Sequence, residues 1–397
     1  MGTYLNPNSR NFQEAVNSEI YIDKTEMIQV LNPLIKTLQK FVLVTRPPKF
    51  GKTMAADMIC AYYDRSADNR ELFAKRKLAE CAPLQTKRGE IRWDTYLGQF
   101  DVIHVVMTDF IKADRTIPES LHLLAEGILH DLNNAYPGVK FDPSDLPYSM
   151  DRFFRHSNIP FVFVIDEWDA VFRIRKDDTE GQRRYLNFLR CWLKDRTYVA
   201  LAYMTGILPI RKFGNQTSLN MFNECTILSP MQMAEYTGFT ENEVRDLCRK
   251  YEMDFSEISN RYGGYLISTP FSVNVPDAYH KGGSKEYSFS VYNPFSVVSA
   301  MRTGIIENYW AKAETSSVLV EYIHRDYDGL RESVALLMDG GKLRINTSTY
   351  LNDMIAFHSK DDILSLLVHL GYLGFDEATS EVFIPNREIL DVFMVSK

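Results

Sequence analysis

Two short stretches of the sequence carry the residue types that phosphate chemistry needs. The first is RPPKFGKT, residues 46–53, which follows the apolar run FVLVT and ends as a phosphate-binding loop ends. In such a loop Gly51 lets the backbone approach a phosphate, Lys52 reaches the β- and γ-phosphates, and the Thr53 hydroxyl ligates Mg²⁺. A strand, a turn and a helix in this order point backbone N–H groups into one concavity. The stretch therefore predicts a phosphate site.

The entrance of this loop departs from the G-x-x-x-x-G-K-[ST] pattern. Arg46 stands where the pattern has glycine, which costs backbone freedom, and the two prolines after it fix φ. Because the phosphate-contacting end is intact, we expect the loop to bind nucleotide. The predicted nucleotide-binding residues are Arg46, Pro47, Pro48, Lys49, Phe50, Gly51, Lys52, Thr53 and Met54.

The second stretch is FVFVIDEWD, residues 161–169, an apolar run that leads into carboxylates. A carboxylate at the end of a strand beside a phosphate loop holds Mg²⁺, and a carboxylate directly after it orients the attacking water. We assign Asp166 the first role, as a metal ligand beside Thr53, and Glu167 the second. Asp169 is predicted to cap a helix or to support a metal ligand. The two stretches together are more specific than either alone.

A third stretch, YVALAYMTGILPIRK, residues 198–212, is a weaker indication. Its Thr205 stands where a hydroxyl could touch the γ-phosphate or the lytic water, and Arg211 or Lys212 follows within reach of the site. We take Thr205 and Arg211 as candidate catalytic residues beside Lys52 and Glu167. A turn capped by Thr205 and a solvated Arg211 explain the same residues at least equally well.

The elements that must position these residues form an α/β pattern. Four nearly continuous apolar runs, at 41–45, 101–107, 161–165 and 198–204, are typical of strands buried on both faces of a parallel sheet. The intervening segments are long enough for helical crossovers, and a fifth strand is possible at 225–228. The first half of the chain is therefore predicted to be a doubly wound α/β domain.

The second half of the chain has a different pattern, in which short helices and turn-forming residues predominate. Thr240 to Glu243 match the capping box S/T-x-x-E and predict a helix running to about Tyr251. A loop rich in Gly, Ser and Pro is predicted from 263 to 294, with Gly282-Gly283 as the tip of a hairpin. Near the end, a helical period followed by two β segments predicts a winged-helix-like tail over 360–393. Acidic residues crowd this tail, which favours protein docking over DNA.

The segment FRIRKDDTEGQRRYLNFLRCWLKDR, residues 172–196, is locally basic and has aromatic residues at near-helical spacing. This pattern predicts an amphipathic helix with Tyr185, Phe188 and Trp192 in the core and arginines in solvent. A surface that faces nucleic acid or another protomer is the alternative.

Composition limits the class of protein. The chain has 397 residues, of which 45% are apolar and 24% charged, with a net charge of −7. No window approaches the roughly 18 uncharged apolar residues of a membrane helix, and the N-terminus has no apolar core for a signal peptide, so we expect a cytoplasmic protein. Five cysteines without a C-x-x-C pair and eight scattered histidines predict neither a disulfide framework nor a zinc site. The net charge argues against a broad coating of nucleic acid.

Six motifs follow one another in a recognisable order: YIDKT (21–25), TRPPKFGKT (45–53), IDEWD (165–169), TGILPI (205–210), VYNPFSV (291–297) and VFIPN (382–386). Together they resemble the AAA-ATPase-like domain family of bacterial proteins, over nearly the whole chain. The loop of that family usually reads R-P-R-R-F-G-K-[ST], so arginine at the first position is the family's own form. Pro48 and Lys49 stand where the family tends to carry arginines, and Lys49 keeps the charge but not the bidentate fork.

The resemblance implies a P-loop NTPase fold of the ASCE/AAA-like kind, with a parallel sheet and helices on both faces. A mainly helical lid and a winged-helix-like region are expected after it, which gives domains at 1–229, 230–300 and 301–397. The implied ligands are ATP and Mg²⁺, and the implied activity is ATP hydrolysis coupled to conformational change. The alternative is a nucleotide-gated interaction or regulatory scaffold with negligible turnover, for example one that regulates a nuclease-like partner domain.

Members of this family are often joined to a C-terminal PD-(D/E)XK nuclease-like domain. In this sequence Pro276-Asp277 is the only nearby candidate, and residues 285–288 do not complete the motif. We therefore assign no nuclease activity. The expected partners are ATP and a protein or a second copy of the chain. Nucleic acid stays open as a partner without being indicated, and no membrane partner is expected.

Overall fold

The computed structural model describes residues 2–210, 219–275, 279–280, 286–313, 317–352, 354 and 356–395. Contacts divide the chain into two compact units. Unit 1 comprises residues 1–44, 52–206 and 212–224, and unit 2 comprises residues 45–51, 207–211 and 225–397. The division at residue 225 lies near the predicted boundary at 229.

Unit 1 contains most of the helices and strands of the first half of the chain. Its helices are α1 (Arg10–Val16), α2 (Met27–Leu31), α3 (Lys52–Tyr63), α4 (Arg70–Ala74), α5 (Lys77–Glu80), α6 (Ile117–Ala135), α7 (Leu146–Ser157), α8 (Ala170–Ile174) and α9 (Thr179–Leu193). The strands of this half are β1 (Phe41–Thr45), β2 (Leu84–Thr86), β3 (Gly89–Ile91), β4 (Asp101–Val106), β5 (Phe161–Asp166), β6 (Val199–Gly206) and β7 (Asn223–Cys225).

Five of these strands form one sheet in the order β4-β5-β6-β1-β7. β5 pairs in parallel with β4 on one side and with β6 on the other. Every residue of β1, β5 and β6 is buried, which explains why their sequences are continuous apolar runs rather than alternating ones. The four predicted strands are confirmed. The fifth precedes its predicted position at 225–228, because the Thr226 N–H donates to the Ser229 carbonyl oxygen at 3.0 Å and closes a turn there.

Helices cover both faces of this sheet. Side chains alternate along β5, so Asp166 and Phe163 point to opposite faces. Asp166 accepts a hydrogen bond from Thr53 on α3, and the Phe163 ring meets the Trp192 ring of α9 with 5.2 Å between centroids. The doubly wound prediction is confirmed. The amphipathic prediction is confirmed for Tyr185 and Trp192 of α9, which are buried while its arginines are exposed, whereas Phe188 is only half-buried.

Unit 2 mixes short strands with helices. Its helices are α10 (Glu241–Lys250), α11 (Phe255–Tyr262), α12 (Pro294–Thr303), α13 (Trp310–Ala313), α14 (Ser317–Arg325), α15 (Leu330–Met338), α16 (Lys360–Leu370) and α17 (Arg387–Val395). Its strands are β8 (Phe239–Thr240), β9 (Tyr265–Thr269), β10 (Tyr279–His280), β11 (Tyr287–Tyr292), β12 (Leu343–Arg344), β13 (Gly374–Asp376) and β14 (Glu381–Phe383). α11 and α17 pack on each other, across the predicted boundary at residue 300.

The loop predicted from 263 to 294 is wrong, because this stretch holds β9, β10 and β11. β9 pairs antiparallel with β11 over five residues, and β8 pairs with the end of β11. The strands escaped detection because they are short and lie among Gly, Ser and Pro residues that favour turns. The predicted hairpin tip at Gly282-Gly283 lies outside the described residues, although β10 and β11 on either side of it pair antiparallel.

The capping box of α10 is confirmed. The Thr240 N–H donates to Glu243 at 2.8 Å, and Thr240 accepts in return from the Glu243 N–H. In the tail, α16 is followed by the hairpin of β13 and β14, as predicted, and β12 joins this hairpin as a third strand. Residues 362–370 of α16 are all buried, so this helix presents no exposed face to a DNA groove.

Two further findings concern the described part of the chain. None of its helices is both long and apolar enough to cross a membrane. Its cysteines, Cys60, Cys81, Cys191, Cys225 and Cys248, are free thiols.

Candidate functional site

The entrance of the phosphate loop is fixed by Arg46. This side chain is only 1% exposed, and its guanidinium donates to three carbonyl oxygens of unit 2. The distances are 2.8 Å to Thr45, 3.0 Å to Cys225 and 3.3 Å to Met233. A glycine at this position would leave all three interactions unmade. Arg46 is therefore a structural residue that holds the loop entrance against the start of unit 2.

Phe50 fixes the middle of the loop, again within unit 2. Its ring is buried and meets Tyr265 edge-on with 5.3 Å between centroids, and its carbonyl oxygen accepts from the Gly238 N–H at 3.1 Å. Lys49 adopts a φ of +65°, and its ammonium lies 5.6 Å from the centre of the Phe295 ring. The loop backbone is thus supported on both sides of the position where it turns.

Gly51 is required by the turn itself. Its φ is +83°, a conformation that residues with a Cβ rarely adopt, and no atom of the described residues lies within 4 Å of the position that a Cβ would take. The loop therefore presents open space beside its backbone at the residue predicted to approach a phosphate. Pro47, Pro48 and Met54 also lie in or next to this loop, and Met54 is 43% exposed.

Lys52 begins α3 and lies in a cluster of charges in unit 1. Burial lowers its pKa to about 8, although the carboxylates of Asp169 and Asp166 oppose this shift. The next residue, Thr53, donates its hydroxyl hydrogen to Asp166 Oδ2 at 2.7 Å. The structure therefore brings together two side chains from residues 113 positions apart, as the sequence predicted for a metal site.

Asp166 ends β5 and is 1% exposed. Burial raises the pKa of its carboxyl group, while hydrogen bonds from Thr53 and from the Glu167 N–H act in the opposite direction. The Glu167 N–H donates to Asp166 Oδ1 at 2.8 Å, so both oxygens of this carboxylate are directed by donors. Such fixed orientation is what a metal-binding carboxylate needs.

Glu167 occupies a strained turn directly after β5. Its φ is +50°, in the left-handed region that residues other than glycine seldom adopt. Strain of this kind clusters at functional sites, where the surrounding structure holds it in place. The Glu167 side chain is 37% exposed, so a water molecule can reach it.

Arg173 is the residue of this cluster that sequence analysis missed. It lies on α8 and contacts Glu167 through Nη2 and Asp169 through Nε, each at 3.3 Å. Although burial acts against its charged form, the Asp169 and Glu167 carboxylates raise the pKa of Arg173. Asp169 stands at the N-cap position of α8, as predicted, but makes no side-chain cap bond there. The spacing of four residues between Asp169 and Arg173 was the available signal, because residues at i and i+4 meet on a helix.

Thr205 lies at the end of β6, the strand next to β5 in the sheet. Within the described part of the chain, its buried hydroxyl has no hydrogen-bond partner. A buried hydroxyl without a partner is costly, and a ligand would satisfy it. Arg211 and Lys212 lie outside the described residues.

The residues present fit a magnesium–nucleotide complex. Hydroxyl and carboxylate oxygens are the ligands that Mg²⁺ prefers, and Thr53 and Asp166 supply them 2.7 Å apart. Among the described residues, no group of three His, Cys, Asp or Glu side chains could hold a metal ion. Mg²⁺ usually takes one or two protein ligands together with substrate phosphates.

A comparison with models of protein families identifies the family of the chain. The model of the AAA-ATPase-like family, described as "Predicted AAA-ATPase", matches residues 9–214, more than half of the sequence. The chain belongs to this family. The five-stranded sheet of this AAA-ATPase-like protein is therefore a P-loop NTPase sheet, in which β6 lies between the phosphate-loop strand β1 and the Asp166 strand β5. Family membership and the loop geometry together support nucleotide binding.

Other comparisons add little. A search of curated proteins gave no match. Three solved structures are similar over most of their length: Cdc6p from Pyrobaculum aerophilum (10% identity, 94% of this chain and 92% of that chain, TM-score 0.32), the Aeropyrum pernix ORC2 protein in ADPNP–ADP complexes (11%, 96% and 96%, 0.38) and the Aeropyrum pernix ORC1 protein in complex with DNA (13%, 100% and 98%, 0.33). At these scores they carry no argument about the function of this chain.

Proposed function

We propose that this AAA-ATPase-like protein binds Mg-ATP and hydrolyses it. The observation that carries the proposal is the hydrogen bond from Thr53 to Asp166. It joins the residue after the loop lysine to the carboxylate that ends β5, a strand separated from β1 by β6 in the sheet, which is the arrangement that P-loop NTPases use to hold Mg²⁺. The open backbone at Gly51 supports a phosphate-binding loop, and the Thr205 hydroxyl, which has no partner among the described residues, supports a ligand at the end of β6.

Each residue has a distinct role in this proposal. Lys52 binds the β- and γ-phosphates as a point charge, and Thr53 and Asp166 hold Mg²⁺. Bound Mg²⁺ supplies charge neutralisation for the phosphates. Glu167 orients a water molecule and accepts its proton, while the water oxygen bonds to the γ-phosphorus and the bond to the bridging oxygen of ADP breaks. Thr205 donates to the γ-phosphate or to the water.

A second candidate is a nucleotide-gated scaffold with negligible turnover. The observation that favours it is the attachment of loop residues 46–51 to unit 2 by Arg46 and Phe50. A loop built into that unit could report nucleotide occupancy to it without any hydrolysis. The two candidates make the same prediction for ATP binding and differ in the effect of losing Glu167.

Calorimetry of ATP binding with and without Mg²⁺ tests the shared part of both candidates. Lys52→Ala should weaken binding by at least about tenfold, because it removes a charge from the phosphate site. Lys87→Ala is the matched control, since Lys87 is exposed in the turn between β2 and β3. If Lys52→Ala and wild type bind ATP alike, the site is assigned to the wrong residues.

Steady-state hydrolysis separates the candidates. Glu167→Gln should lower turnover by about a hundredfold or more and leave affinity nearly unchanged, because a group that aligns water acts mainly in the transition state. Asp166→Asn should weaken Mg-ATP binding and turnover together. Hydrolysis by Glu167→Gln within about threefold of wild type would rule out Glu167 as the base. A change in protease protection with ATP that survives in this variant would then favour the scaffold.

A further inference from the structure

Arg173 contacts both carboxylates that follow β5 without belonging to any motif of the phosphate site. Its side chain is 24% exposed, whereas Asp169 is fully buried and Glu167 is 37% exposed. The contact to Asp169 joins residues four apart on the same helical turn, and the contact to Glu167 reaches back across the turn. One cation thus connects an interior carboxylate to an accessible one.

The backbone that carries these carboxylates is held on both sides. The Trp168 N–H donates to the Thr205 carbonyl oxygen at 3.1 Å, and the Trp168 carbonyl oxygen accepts from the Tyr185 hydroxyl at 2.6 Å. A Cβ at Gly206 would lie 2.6 Å from Asp169 Oδ1 and from the Trp168 ring, so β6 approaches this turn closely. With the backbone fixed, the direction of the Glu167 carboxylate depends on its own side-chain angles and on the contact to Arg173.

The charge environment places Arg173 beside the phosphate site. Arg173 lowers the pKa of Lys52, while Asp169, Asp166 and Glu167 raise it, so these five side chains form one electrostatic cluster. Within this cluster Arg173 is held by Glu167 Oε2 at 3.3 Å. The Arg173 hydrogen bond to Glu167 goes from Nη2 to Oε2.

We propose that Arg173 is a positioning residue that orients the Glu167 carboxylate for the attacking water. A guanidinium on Oε2 fixes the plane of the carboxylate and directs Oε1 outward, as a third group orients the base in catalytic triads. Asp169 stabilises the charge of the guanidinium, since its Oδ2 lies 3.3 Å from Nε. This inference rests on the proposed function, in which Glu167 accepts the proton of water.

The test is a double-mutant cycle read by single-turnover hydrolysis at saturating Mg-ATP, with ATP affinity measured in parallel. Arg173→Gln should lower the rate by at least about tenfold, because a misplaced catalytic group costs up to about a hundredfold, and should leave affinity within about threefold. The rate of Arg173→Lys should lie between those of wild type and Arg173→Gln, since an ammonium cannot make both contacts of the planar guanidinium. In a Glu167→Gln background, Arg173→Gln should change the rate by less than about twofold.

Folding is controlled separately. Arg173→Gln removes one of the two cations that interact with the buried Asp169, the other being Lys52, so thermal unfolding of each variant is measured first. The double variant Arg173→Gln with Asp169→Asn removes both charges and keeps the test valid if the single variant does not fold. It should show the same loss of rate with unchanged affinity.

Several results would overturn the inference. An equal loss of rate in the Glu167→Gln background would mean that Arg173 acts on the phosphate and not through Glu167. A loss confined to affinity would make it a phosphate-binding residue, and an increase or no change in rate would exclude an orienting role. If Glu167→Gln hydrolyses ATP like wild type, the proposed function is refuted. If Glu167→Gln is inactive while Arg173→Gln is fully active, only the orienting role of Arg173 is refuted.

Discussion

Arg46→Gly restores the G-x-x-x-x-G-K-T pattern of a standard phosphate loop, yet we expect it to destabilise the protein. The wild-type guanidinium donates to the carbonyl oxygens of Thr45, Cys225 and Met233 and is 1% exposed. Glycine would remove these donors and leave a space the size of an arginine side chain. It would also add backbone freedom to the unfolded chain, which costs further stability.

The size of the effect follows from these contacts. A hydrogen bond to a charged group contributes about 1.5 kcal/mol at the low end, and three of them give about 4.5 kcal/mol. The variant no longer has to desolvate a guanidinium, which offsets part of this loss. We therefore expect the free energy of unfolding to fall by about 3 to 5 kcal/mol, a large part of the about 5 to 15 kcal/mol that keeps a domain folded.

Hydrogen exchange of residues 225–269 measures the opening of the region that Arg46 contacts, and it avoids treating two units as one unfolding transition. Arg46→Lys is the matched control, because lysine keeps the charge but is expected to reach fewer of the three carbonyl oxygens. Its loss should be smaller than that of Arg46→Gly. The structural role of Arg46 would be refuted if the opening free energy from hydrogen exchange in Arg46→Gly lay within about 1 kcal/mol of the wild-type value. Tighter ATP binding by this variant would refute it as well.

Two further predictions concern His369 and Thr205. Burial lowers the pKa of His369 in the folded state to about 3, so its contribution to stability is present above the unfolded pKa of about 6.5 and is lost as pH falls from there. At pH 5 the free energy of unfolding should be about 2 kcal/mol lower for this reason, and His369→Gln should remove that part of its pH dependence. Denaturant titrations at several pH values measure this, and an equal pH dependence of the unfolding free energy in the two proteins would contradict the prediction. Thr205→Val should leave nucleotide-free stability unchanged or raise it by up to about 1 kcal/mol, because it removes a buried hydroxyl without a described partner. ATP turnover should fall about tenfold or more in this variant, and unchanged turnover would make Thr205 a turn residue only.

Those parts of the protein that depend on neighbouring residues are predictable from the sequence alone. Strands β1, β5 and β6 were predictable because a strand buried on both faces must be apolar at every position. The helix α10 was predictable because its capping box lies within four residues. The roles proposed for Lys52, Thr53, Asp166 and Glu167 also follow from local order, since each stands at the end of a strand or the start of a helix.

Which of these local features come into contact depends on the folded backbone. Thr205 and Asp166 end adjacent strands because β6 pairs with β5, and no local pattern states which strands will be neighbours. From the sequence, Arg46 only costs the loop entrance backbone freedom. The fold shows that Arg46 donates hydrogen bonds to the carbonyl oxygens of residues 225 and 233, more than 170 positions along the chain. The physical reason is that the partner of a buried polar group is chosen by the folded backbone, whereas sequence periodicity reports only whether a residue is buried.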